Sequence, residues 1–119
     1  MVTVDLIGFL LTMRLIVFLI IAHCVGDYLF QSTYLAVNKE KDKYLLFVHS
    51  VLYVFGIILT AHVFSIDISV LQILALFITH MMTDHIKASG ISTKAFGEKK
   101  ALIVDQVIHY LVLFLVFYL

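Results

Sequence analysis

The chain has 119 residues, of which 63% are hydrophobic and only 13% charged, with no proline, one cysteine and a formal net charge of zero. Soluble domains carry about a quarter charged residues, and a domain this small leaves much of its surface in water, so the composition excludes an ordinary soluble globular protein and makes lipid the natural solvent. Eight basic residues balanced by eight acidic ones give no global field for nucleic acid, and Cys24 alone excludes an internal disulfide or a cysteine-rich metal site.

A helix needs about 20 apolar residues to cross the hydrocarbon core. Four stretches have that character: residues 6–31, 45–64, 69–86 and 101–119. The first has neither a basic segment before it nor a small-residue cleavage pattern after it, so it reads as a retained span rather than a signal peptide. Residues 1–12 read either as part of that span or as an interfacial segment. The connection 32–44 holds Asn-Lys-Glu-Lys-Asp-Lys, 65–68 is very short, and 87–100 contains Gly90 and Gly97. Short links make neighbouring helices antiparallel. The expected fold is therefore all-α: a polytopic, antiparallel bundle of four transmembrane helices forming one domain over residues 1–119.

Lysines set the orientation. Lys39, Lys41, Lys43, Lys87, Lys94, Lys99 and Lys100 fall in or beside the first and third connections, which alternation puts on one face, whereas the opposite face has only Arg14. The positive-inside rule makes the lysine face cytoplasmic and puts both termini outside a multi-pass protein of the inner membrane.

Polar groups interrupt the apolar runs. The first span carries His23, Asp27 and Gln31; the second His49 and Tyr53; the third His80, Asp84 and, at its end, Lys87; the fourth Asp105, Gln106 and His109. Residues four apart share a helix face, so three helices each present a His/Asp pair. Counted from the lysine ends, His23, His80 and His109 lie about 12 to 14 Å deep, and Asp27, Asp84, Asp105 and His49 about 6 to 8 Å deep. The spacing thus places a histidine layer beneath an aspartate layer.

An aspartate near the centre of a span costs about 2.5–3.5 kcal/mol. Hydrogen bonds among neutral groups recover about 1 kcal/mol apiece, whereas a zinc ion in a small peptide site contributes about 10–16 kcal/mol at neutral pH. A metal is the economical explanation, with His23, Asp27, His49, His80, Asp84, Asp105 and His109 as the donor set. That set exceeds the needs of one tetrahedral ion and suits two, bridged by a carboxylate. Imidazole and carboxylate without thiolate fit zinc, manganese, iron or nickel. The competing readings are a proton relay or ion pathway, and polar glue between helices.

Other polar residues read more plainly. His62 and His85 are bystanders, Arg14 snorkels to the outer headgroups, and Tyr53 packs. Gln31 and Gln106 either orient ligands or bond helix to helix. Lys87, which lies about 20° from His80 around the helix, reads together with Lys39 either as a contact to a phosphate near the inner headgroups or as a topology-setting lysine, the second being the stronger reading for Lys39. Repetition of His-x-x-x-Asp before a lysine-bearing loop hints at a duplicated two-helix unit, to which His49 and the Asp105/His109 pair correspond only loosely.

The ordered set His23-Cys24-Val25-Gly26-Asp27-Tyr28-Leu29-Phe30-Gln31, Lys39, His49, His80-Met81-Met82-Thr83-Asp84 and Asp105-Gln106-Val107-Ile108-His109 resembles an uncharacterised family of small bacterial and phage membrane proteins, marked by HxxGDxxxQ, H, HxxxD and DQxxH in that order. The HxxxD helices look like those of inner-membrane metal-dependent hydrolases, and that likeness implies the same seven residues as a metal set.

The leading functional expectation is a metal-dependent hydrolase acting on a phosphate or ester linkage near the cytoplasmic leaflet, with Asp84 and Lys87 as catalytic residues and an anionic or lipid-like substrate. The alternatives are a component moving protons or divalent metal, disfavoured by the apolar outer half of the spans, and a structural or regulatory membrane protein whose cluster fixes helix register.

Overall fold

A computed structural model describes residues 2–118; residues 1 and 119, the ends of the expected domain, lie outside it. Among the described residues all regular structure is helical. Helix α1 (Val2–Cys24) runs into a π-helical turn (Val25–Leu29), followed by α2 (Thr33–Asn38), α3 (Lys43–Val63), α4 (Val70–Ala88), α5 (Ile91–Phe96) and α6 (Glu98–Tyr118). The starts follow from capping chemistry: Ser32 accepts from the Leu35 amide, Asp42 from the Tyr44 amide, and Ser69 and Gln72 form a reciprocal capping box.

Among the described residues, three helices are long and apolar enough to cross a membrane: α1 with its π turn, α3 and α6. The expected third span, α4, is 19 residues long but does not join them. Gln72, His80, Asp84, His85 and Lys87 dilute its apolar character, so the helix richest in site residues is the one whose sequence looks least like a span. The boundaries also differ: the first helical run ends at Leu29, the two lysine-bearing connections each contain a short helix, and the last helix starts at Glu98.

Residues 5–14 of α1 are exposed, and packing begins at Leu15 and Phe18, beside the end of α3, where the Arg14 guanidinium donates to the Phe64 carbonyl. From there each long helix buries one stripe. On α1 it is Phe18, Leu19, Ala22, His23, Gly26 and Asp27; on α4, Leu76, His80 and Asp84; on α6, Ala101, Asp105, His109 and Leu113. These are steps of about one turn, the spacing that keeps side chains on one face. Large apolar side chains such as Leu10, Phe55, Leu71 and Leu115 point outward from the opposite faces. Such an arrangement is costly in water and unremarkable in lipid.

The buried stripe has two halves. Away from the lysine loops it is apolar: Phe18, Ala22, Ile57, Ala61, Leu76 and Leu113, closed by Phe64 and Phe117, with the Phe18 ring 5.0 Å from Phe117 in an edge-to-face contact. Toward the lysine loops it is almost wholly polar.

A candidate metal centre

α1 and α3 meet with almost no space between their backbones. A Cβ on Gly26 would lie 2.6 Å from the Tyr53 carbonyl oxygen, and one on Gly56 2.7 Å from the Gly26 Cα. Only hydrogen fits at either position. Gly26 lies in the π-helical turn, and such turns recur at functional sites because they redirect one side chain. Here the turn carries Asp27, 6% exposed, to the α3 face that holds His49.

Five of the seven expected donors converge. His49 Nε2 lies 3.2 Å from Asp27 Oδ1, 3.2 Å from Asp84 Oδ2 and 3.0 Å from His80 Nε2. His80 Nε2 is 3.5 Å from the same Asp84 oxygen, and His109 Nε2 is 3.3 Å from the other, Oδ1. Asp27, His49 and His80 form one group that could hold an ion, and His80, Asp84 and His109 a second; within each group the ligand atoms lie within 4.8 Å of one another. Donors on a tetrahedral ion with bonds of about 2.0–2.2 Å are themselves about 3.3–3.6 Å apart. The separations observed here, 3.0–3.5 Å, overlap the lower part of that range.

Proton accounting sharpens the geometry. His109 Nδ1 is 2.7 Å from the Asp105 backbone carbonyl, which can only accept, so Nδ1 carries the proton. A neutral His109 then turns the lone pair of Nε2 toward the Asp84 carboxylate, and this nitrogen has no hydrogen-bond partner. Two acceptors face each other across 3.3 Å. Either a proton or a metal cation must lie between them.

His23 and Asp105 stand at the margin. His23 Nε2 is 2.9 Å from Gln106 Oε1 and 3.6 Å from Asp27 Oδ2. The Gln106 amide nitrogen donates to Asp105 Oδ2 at 3.2 Å, which turns Oε1 toward His23 and makes His23 Nε2 a donor. Asp105 Oδ2 also receives Lys87 Nζ at 3.2 Å, and its Oδ1 is buried without a hydrogen-bond partner. Lys87 therefore meets the cluster through Asp105. Tyr53 stacks on the His80 ring, centroids 3.7 Å apart at 11°, fixing the plane of that imidazole.

Lys39, read from the sequence as topology-setting, lies inside the cluster. Its Nζ is 3.2 Å from His49 Nε2 and 3.3 Å from Asp84 Oδ2. The reason lies in the connection: α2 buries Leu35 against α3, and the Asn38 carbonyl accepts from the amides of Lys41 and Asp42, folding the loop back over the bundle mouth. No periodicity signals a long-range turn of this kind. Three carboxylates, Asp27, Asp84 and Asp105, thus meet two ammonium groups, leaving one negative charge uncompensated while the imidazoles are neutral. His62 and His85 are exposed and take no part.

A helical bundle with lipid-like outer faces and a buried histidine–aspartate–lysine cluster at one end is the class of protein that fold and site define. The chain belongs to the family described as "Protein of unknown function (DUF3307)", whose model matches residues 15–119. Neither a curated protein nor a solved structure matches it.

Proposed function

We propose that the protein is a four-span bundle of the inner membrane, with α4 as the fourth span and both termini outside, whose cluster holds one or two divalent ions that serve hydrolysis of a phosphate or ester linkage at the cytoplasmic leaflet. The single observation that carries the reading is the convergence of five buried imidazoles and carboxylates into two groups of three, the ligand atoms of each group lying within 4.8 Å of one another. Asp84, with one oxygen toward His49 and His80 and the other toward His109, would be the carboxylate shared by both halves of the donor set. Asp27, His49, His80 and His109 complete the shell. His23 holds Asp27 in place from the Gln106 side, and Lys87 with Gln106 holds Asp105, whose carbonyl fixes the His109 ring.

A divalent ion in such a site lowers the pKa of a bound water toward neutrality and polarises the oxygen of the scissile group. The chain's own part would be to move a proton: Asp105 Oδ1, which has no hydrogen-bond partner, would take it from the attacking water as the new bond to phosphorus or the acyl carbon forms, and return it to the leaving oxygen as the ester bond breaks. The test is metal analysis of protein purified in mild detergent without chelator, with hydrolysis of phosphate-ester and carboxylic-ester panels by wild type and Asp84→Ala. Metal at or above one equivalent, with activity lost in the variant, is expected. Metal-free wild-type protein after purification in supplied zinc or manganese would end the reading.

One observation favours a second reading. The Lys39 ammonium already faces His49 and Asp84, so a metal-free cluster serving as helix glue or proton relay has part of its charge met. Lys39→Met separates the two: a metal site keeps or gains affinity, whereas a metal-free cluster loses stability and acquires no ion. Transport is the weaker alternative, because beyond the histidines the stripe is Phe18, Ala22, Ile57, Ala61, Leu76 and Leu113, and the one buried hydroxyl there, Thr60, is turned back to the Gly56 carbonyl.

A further inference from the structure

Beside the cluster, where the folded-back loop meets the end of α4, lies a pocket of about 190 Å³ whose wall includes Lys39, Lys41, Lys43, His85 and Ser89. Glu40 is the one acid on it, and since Lys39 is already paired with Asp84, the two remaining lysines of the wall, Lys41 and Lys43, stand against one carboxylate. Asp42, the next acid in the loop, is turned away to cap α3 through the Tyr44 amide at 2.8 Å. The wall therefore carries a net positive charge and includes Lys39, whose ammonium touches Asp84.

This pocket does not stand alone. A groove of about 420 Å³ between α3 and α4 shares Lys43, Leu46 and His85 with it and continues over Phe47, Met81 and Met82. Its wall beyond the shared lysine and histidine is apolar and lies on the lipid-facing side, where Phe47 and Met82 are exposed. A basic pocket opening into an apolar groove at the end of a hydrophobic helix pair has the two-part chemistry of an amphiphile: an anionic head and a hydrocarbon tail. Methionine in such a groove adapts to a flexible chain better than branched side chains do.

We propose that this α3/α4 face binds a lipid phosphate, its phosphate at Lys41 and Lys43 and its acyl chain along Phe47 and Met82. This deepens the hydrolase reading and rests on it for the consequence that the substrate is a phosphate ester of a lipid; the binding itself does not. The apolar groove selects the lipid over free phosphate, which has nothing to place there. Lys39 links the two sites, since it lines the pocket and its ammonium lies beside Asp84 Oδ2.

The test is native mass spectrometry of the full chain in mild detergent, reading metal and lipid adducts in the same spectra. The probes are short-chain phosphatidic acid, the matching diacylglycerol, phosphatidylcholine and inorganic phosphate, with wild type, Lys41→Ala/Lys43→Ala and Met82→Lys. Phosphatidic acid should bind wild type at least tenfold more tightly than diacylglycerol or phosphatidylcholine, and lose at least tenfold in the double variant while metal is retained. Met82→Lys should lose the lipid and keep whatever inorganic phosphate binds, which separates the two sources of the anion. Equal binding of diacylglycerol and phosphatidic acid, or tighter binding of inorganic phosphate than of the lipid, would overturn the inference and leave the hydrolase reading standing. Selective phosphatidic acid binding to protein that takes up no metal would support this site and defeat the hydrolase.

Discussion

The two halves of the buried stripe are built on the same four helices with the same spacing, yet they obey different rules. In the apolar half, Phe18, Ile57, Leu76 and Leu113 pack as any helix pair does in lipid, where association comes from close fit rather than from expulsion of water. In the lysine-end half, the positions one and two turns along hold His80 and Asp84 on α4, and His109 and Asp105 on α6. A helix gains nothing in stability by exchanging leucine for aspartate at a buried site unless something meets the charge. In the polar half Lys39 and Lys87 meet two of the three carboxylates, and the proposed metal would meet the charge that remains.

Substitutions in the two halves should therefore separate stability from metal binding. Asp84→Ala is expected to have the largest effect: it removes both bridging oxygens and strands the Lys39 ammonium, costing about 3–5 kcal/mol in stability. It should also lower metal affinity by more than the roughly 100-fold that outer partners reach, as read by thermal melting and metal titration in detergent. Next comes Gly26→Ala, whose methyl would meet the Tyr53 carbonyl; the helices must part, at about 1–3 kcal/mol, and Asp27 moves off His49, so metal affinity falls along with the melting temperature. Lys87→Met leaves the donor set intact but frees Asp105, and metal affinity should fall about tenfold by titration. Smallest on the metal axis is Leu113→Ala in the apolar half. It should cost about 2 kcal/mol, measured by thermal melting, with metal content unchanged. A Leu113→Ala variant that sheds its metal would break the comparison, because the halves would then be one cooperative unit.

Much of the site was legible from spacing alone. His-x-x-x-Asp on α1 and α4, and Asp-x-x-x-His on α6, put each pair on one face, and apolar flanks gave those faces nowhere to go but inward. What periodicity does not carry is anything set by chain reversal or backbone contact. Lys39 reaches His49 through a folded loop, Lys87 finds Asp105 across two helices, and the Gly26–Gly56 approach depends on a π turn, whose hydrogen-bond pattern no residue type announces. The helix count differs for a related reason: His80, Asp84 and Lys87 lower the hydropathy of α4, so three of the described helices are long and apolar enough to span where the apolar run lengths lead one to expect four.

The central claim is most directly tested by X-ray absorption at the metal edge on intact protein in mild detergent, purified with zinc or manganese and then dialysed. The account predicts at least one tightly held ion with a mixed imidazole and carboxylate shell, released on acidification because its histidine ligands must be neutral to bind. A spectrum showing only fully hydrated metal, removed by dialysis alone at neutral pH, would contradict it.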